Sequence, residues 1–163
     1  MTRIIRSFAA AALAAVLSSA AQAQVVTHRD ISARMALAMV EAALTACEKS
    51  GASVSVAVVD YAGRLRAFVQ ADKANPHNLE LARRKAYTAR TFGRPTGEWA
   101  QRTADIPALA PQRNLTDVIA SRGGLPVKIG NETIGAIGVS GWSTEGDEAC
   151  AKAGVDRIAD QLR

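Results

Sequence analysis

The residues able to do chemistry are few, and their spacing narrows what that chemistry is. The 163-residue chain carries two histidines, His28 and His77, too few for a histidine-rich metal site. It contains no G-x-S-x-G elbow, no H-E-x-x-H pair, no P-loop and no G-x-G-x-x-G fingerprint. A Ser–His–carboxylate triad could be composed around His77, but no local sequence supports one. The informative stretch is 75–92, where Leu79, Arg83, Tyr87, Arg90 and Arg94 recur at intervals of three and four and so share one side of a helix. Ala82, Ala86 and Ala89 make a small-residue stripe next to it. A cationic row bordering such a surface could hold the carboxylates of a flat apolar ligand. His77, in the first turn, could then supply an axial nitrogen to a metal in that ligand. The same spacing also describes a solvated basic face with a histidine in the capping turn, and taken alone it favours that plainer reading.

The second feature is glycine. Gly123-Gly124-Leu125-Pro126 precedes one apolar run, and Gly135, Gly138 and Gly141 punctuate the next. Glycine inside a strand forgoes packing and costs ordering entropy, so this density implies close approach of some other body to the backbone. A ligand, a helix and a second subunit are all compatible with it.

These residues must be positioned by elements that the pattern predicts. Asp30 is placed to cap a helix over 31–50, closed by Gly51. That helix has two apolar stripes, Leu37, Val40, Leu44 and Cys47 on one side and Ile31, Met35, Ala38 and Ala42 on the other. Two stripes suit a helix packed on a sheet and on another protomer, or one buried deeply. A β-branched strand over 53–60 and a return strand over 64–71 form a hairpin around Tyr61-Ala62-Gly63. Asn75 as N-cap and Pro76 at N1 start the second helix, which ends at Gly93 and Pro95. A short helix over 96–102 and a loop over 105–116 follow. Strands are expected at 117–121, 126–129 and 132–140, the last two joined by Gly130-Asn131. Thr144, with Asp147 in the capping-box position, opens a final helix with the stripe Ala151, Val155, Ile158 and Leu162. The expectation is one α+β domain, an antiparallel sheet of about five strands flanked by helices.

The ends and the composition add context. Arg3 and Arg6 precede an apolar stretch over 7–20, about 14 residues, too short for the ~20 that span a bilayer. Ala21-Gln22-Ala23 offers small residues at the positions that signal peptidase inspects. Residues 1–23 thus read as a cleaved signal peptide and 24–163 as the mature domain, periplasmic or secreted. An uncleaved membrane anchor is the rival, and twin-arginine export is not indicated because Arg3 and Arg6 are not adjacent. Removing Arg3 and Arg6 takes 20 basic residues to 18, against 15 acidic, for a net charge of +3. That is a mild excess and not a nucleic-acid footprint. No second apolar run reaches membrane length. Cys47 and Cys150 are the two cysteines. In an oxidising compartment an even pair suits a disulfide, with two buried free thiols as the alternative.

The motifs match a family. Gly123-Gly124-Leu125-Pro126, then Gly135-Ala136-Ile137-Gly138-Val139-Ser140-Gly141, then Asp147-Glu148 resemble the GlcG/HbpS-like haem-binding family. So do Val56-Ala57-Val58-Val59-Asp60 with Gly63, and Ala82-Arg83-Arg84-Lys85-Ala86-Tyr87-Thr88-Ala89 with Arg94-Pro95-Thr96. The resemblance spans nearly all of 24–163, and the cysteine pair looks like that of exported Gram-negative members. It implies a profilin-like α+β fold, assembly into homo-oligomers, and haem as the cofactor in some members, used in haem sensing or iron handling. Other members lack a settled activity, and related domains accompany cobalamin enzymes. An enzyme acting on a small organic acid or cobalamin-related compound, or a purely structural oligomeric module, are therefore the alternatives. The family's haem ligand varies, so kinship does not select His77. On this reading His77 is the axial candidate, Arg83, Arg84 and Tyr87 lie near the propionates, and Gly123 and Gly124 approach the ligand. Trp142 stands where the family usually has a small residue, and could roof a pocket or block it.

Overall fold

The computed structural model describes residues 24–163; the signal peptide assigned to 1–23 lies outside the described residues. The elements run α1 (Ala33–Lys49), β1 (Ser55–Val59), β2 (Leu65–Gln70), α2 (Asn78–Phe92), α3 (Thr96–Asp105), a 3-10 segment (Pro107–Asn114), β3 (Gly124–Ile129), β4 (Glu132–Ser140) and α4 (Thr144–Asp156). A short 3-10 turn, Ala159–Gln161, follows α4. The strands form one antiparallel sheet in the order β2-β1-β4-β3.

This is the expected α+β architecture with four strands instead of about five. The missing one is 117–121. Its backbone is held by side chains of α2 and not by a neighbouring strand. Val118 O accepts from Arg84 at 2.6 Å, and Ile119 N donates to Thr88 Oγ1 at 2.9 Å.

The two faces of the sheet differ in residue size. Val56, Val58, Ile137 and Val139 pack with Met39, Ala43, Cys47, Cys150 and Ala151 of α1 and α4 in the main core. The opposite face carries Val59 and Ala136 against Ala86 and Ala89 of α2. Ala57 pairs with Gly138, and Gly138 with Gly124, across the same face. Both central strands are covered on both sides, so β1 is buried throughout instead of alternating. The alanine stripe of α2 therefore faces the sheet and is not a ligand surface. A Cβ on Gly138 would overlap Ala82 O and come within 2.5 Å of Ala86 N. Of the three bodies compatible with these glycines, Gly138 meets a helix.

The helix ends differ from the expected caps in instructive ways. Ser32, not Asp30, caps α1 by accepting from Met35 N at 3.2 Å. The Asp30 carboxylate accepts instead from Ile31 N and Tyr61 N, at 2.7 and 2.8 Å, and from Arg66 at 3.0 Å, tying the chain start to the β1–β2 turn. The buried face of α1 is Ala36, Met39, Val40, Ala43 and Cys47; Leu37 is exposed. Asn75 and Pro76 form a turn, with Asn78 N donating to Asn75 O, and α2 starts after it with His77 at the N-cap. Ser143, not Thr144, caps α4 through Gly146 N.

Cys47 and Cys150 are bonded, joining α1 to α4 across 103 residues of chain. Closing so long a loop restricts the unfolded chain, and removing the bond costs about 2–5 kcal/mol. The paired substitution Cys47→Ser with Cys150→Ser should lower the urea midpoint by a corresponding amount without changing the native circular dichroism spectrum. Gly138→Ala should destabilise by about 3 kcal/mol, since overpacking here meets rigid helix backbone; chemical denaturation checks both.

Candidate functional site

α2 carries most of the residues that the sequence singled out, and the structure splits them into two groups. His77 is exposed and makes no capping hydrogen bond. Arg84 lies seven residues further, two turns and about 10 Å along the same side. Its guanidinium donates to Val118 O at 2.6 Å and to Glu80 at 3.3 Å, while Nε is buried without a partner. Arg83 donates to the Asp117 carboxylate at 2.6 Å. That bond holds Asp117 below its ordinary carboxylate value and Arg83 above its own. Both side chains are about one-third exposed, so the pair is worth at most about 1 kcal/mol. Asp117 itself sits at φ 66°, a left-handed conformation that aspartate tolerates better than most residues. Arg83 and Arg84 thus clamp the 117–118 segment over α2.

The second group faces the β1–β2 turn. The Tyr87 ring lies so close to Gly63 that a Cβ there would come within 2.9 Å of it. The Arg90 guanidinium stands 4.3 Å from the centre of the Tyr61 ring, and His28 stacks on the same ring at 4.3 Å.

Gly123 and Gly124 belong to a different, closed environment. Gly123 has φ 117°, and a Cβ on it would lie 2.8 Å from Val139 O and 2.9 Å from Lys85 Nζ. Gly124 N donates to Thr96 Oγ1 at 2.9 Å, and a Cβ on it would overlap Lys85 O. Both glycines pack against the chain's own atoms. Trp142 lays its indole on Gly146 in the first turn of α4 and remains 46% exposed.

What holds this corner is a pair that the sequence reading passed over. Lys85 Nζ donates to Asp147 Oδ2 at 2.7 Å and to Val139 O at 2.9 Å, with both side chains only 3% exposed. Asp147 Oδ1 accepts from Trp142 N at 3.0 Å. The capping-box position expected for Asp147 is therefore used to bridge α4 to α2. Lys85 looked like one more charge in a basic run. A helical wheel nonetheless puts it on the Ala82, Ala86 and Ala89 side, where only a paired lysine is tolerable.

Burial pushes the Asp147 carboxyl above its ordinary value; Lys85 and the Trp142 and Gly141 amides pull it down without cancelling that effect. A raised carboxyl contributes its stability below the unfolded value near 4 and loses it as pH rises through the folded value. Removing Lys85 takes away the main opposing influence. Lys85→Met should cost about 3–5 kcal/mol at neutral pH. The deficit should shrink as pH falls toward 4, where Asp147 is buried uncharged; urea titrations at several pH values measure it.

Among the described residues no three or more His, Cys, Asp or Glu come together as a metal site, and no helix is long and apolar enough to cross a membrane. Comparison with known proteins places this geometry. Residues 31–156 match the model of the family described as haem degrading protein HbpS-like. Protein GlcG of Escherichia coli K12 is 34% identical over 115 residues, covering 68% of this chain and 81% of GlcG. A crystal structure of a double mutant of Streptomyces reticuli HbpS superposes with TM-score 0.78 at 32% identity, over 85% of this chain and 93% of that one. A crystal structure of a PduOC:heme complex does so with TM-score 0.71 at 25% identity, over 78% and 94%. Matched along nearly the whole of its described length, the chain belongs to the HbpS-like family.

Proposed function

We propose that the protein is an exported haem-binding member of this family, acting in the periplasm or after secretion in haem sensing or iron handling. The observation that carries the reading is the outward side of α2. His77 presents an imidazole free of capping bonds, and two turns along the same side lies the Arg84 guanidinium, bonded to Val118 O and to Glu80, which a propionate would displace. An imidazole for the iron and a guanidinium for the propionates are the donor types that haem takes. Bound haem would supply a redox-active iron with a strong Soret absorption. Arg83 and Tyr87 would lie toward the propionates. Gly123 and Gly124 serve the site indirectly, by letting Lys85 and α2 settle onto the sheet. Trp142, with its indole on Gly146, keeps a partly exposed aromatic surface just before α4.

The PduOC:heme complex among the structural relatives supports the choice of ligand. The leader pattern over 1–23 and the Cys47–Cys150 bond support export. One protomer offers haem a single wall, so a homo-oligomer is part of the proposal, with a second copy of the chain covering the other face.

Haemin titrated into the purified protein should give a saturable Soret band. His77→Ala should weaken affinity tenfold or more and shift the band. Unchanged affinity and spectrum in that variant would remove His77 as the axial ligand, and absence of saturable binding would remove haem.

A further inference from the structure

The β1–β2 turn and the C-terminal half of α2 border a separate, open cavity of about 270 Å³, lined by Tyr61, Ala62, Gly63, Tyr87, Arg90 and Thr91. We propose that this cavity is a binding site for a small oxyanion, a carboxylate or phosphate group, held by Arg90. Four observations carry the assignment.

Arg90 is a cation without a carboxylate. The neighbouring arginines Arg83 and Arg84 of α2 and Arg94 just beyond it are paired with Asp117, Glu80 and Glu98. Among the described residues Arg90 makes no salt bridge or side-chain hydrogen bond, and its buried Nε has no partner. It is also held in place. Its guanidinium carbon lies over the Tyr61 ring, 4.3 Å from the centre, and Tyr61 is itself fixed by its stacking with His28 and by Tyr61 N donating to Asp30. A guanidinium held by cation–π attraction makes no hydrogen bond through that contact, and its N–H groups are of the kind that take an oxyanion by two parallel bonds.

The lining has the matching chemistry. Tyr61, Tyr87 and Thr91 bring hydroxyls, and no acidic residue lines the cavity. The floor is the Ala62-Gly63 backbone, and the missing side chain of Gly63 is what lets Tyr87 lie against the turn. A cavity of this size fits a small acid or a phosphate ester, well below the dimensions of haem. The site therefore stands or falls independently of the haem reading, although Tyr87 borders both.

Calorimetric titration of the purified protein with benzoate and with inorganic phosphate tests the proposal. The expected result is saturable binding of at least one, weakened tenfold or more in Arg90→Gln and no more than twofold in Arg102→Gln, an exposed arginine of α3 outside this cavity. Saturation by benzoate alone identifies a carboxylate ligand, and saturation by phosphate alone a phosphate-bearing one. Arg90→Lys keeps the charge and the fold but loses the two-bond geometry, and should weaken binding threefold or more. No saturation by either probe, or unaltered affinity in the Arg90 variants, would overturn the assignment.

Discussion

The fold depends on how closely α2 approaches the sheet. Ala82, Ala86 and Ala89 meet a sheet face built of Ala57, Ala136, Gly138 and Gly124, where a single added methyl at Gly138 would run into helix backbone. Such an approach gains dispersion contacts but leaves little large apolar surface to bury on that side. The larger hydrophobic contribution comes from the opposite face, where valines and isoleucines of the sheet meet α1 and α4. The Cys47–Cys150 bond ties those two helices together. α2 is held by fit, by the ties of Arg83, Arg84 and Thr88 to the 117–119 segment, and by one buried ion pair.

That pair is Lys85 with Asp147, and it joins the two layers past the end of β4, just before β3 begins. Lys85 comes from α2, Asp147 from α4, and Val139 O and Gly123 lie between them. A buried ion pair is weak evidence for stability as such, because desolvation offsets most of its attraction. Its consequence here is registry. It fixes the rotation of α2, and with it which side of the helix faces outward. His77, Arg84, Tyr87 and Arg90 are presented as they are because Lys85 points inward.

Much of this was legible in the residues, and the departures have physical causes. β4 was read with its observed limits because Thr133, Ile134, Ile137 and Val139 lie between a Gly-Asn turn and Gly141, despite the glycines among them. The hairpin partner and α2 also emerged from local signals, whereas the disulfide followed from an even cysteine count and the expected export, with free thiols as the alternative. The strand expected at 117–121 failed because its backbone bonds are taken by Arg84 and Thr88, side chains more than thirty residues away. The caps shifted for a similar reason. Asp30 and Asp147 both have good local capping chemistry, but tertiary partners claim them, Tyr61 N and Arg66 for Asp30 and Lys85 for Asp147. The site was harder to read. Spacing put five residues on one side of α2 but could not tell that Arg83 and Arg84 are engaged while Arg90 stands unpaired against Tyr61.

α2 thus has two sides, one seated on the small residues of the sheet and one turned outward, where the haem site is proposed. A crystal structure of the protein grown with haemin tests this most directly. The account predicts iron coordinated by the His77 imidazole, with haem lying along the outward side of α2 toward Arg84 and the Lys85–Asp147 pair intact. Iron ligated elsewhere, or α2 rotated with Lys85 released from Asp147, would contradict it.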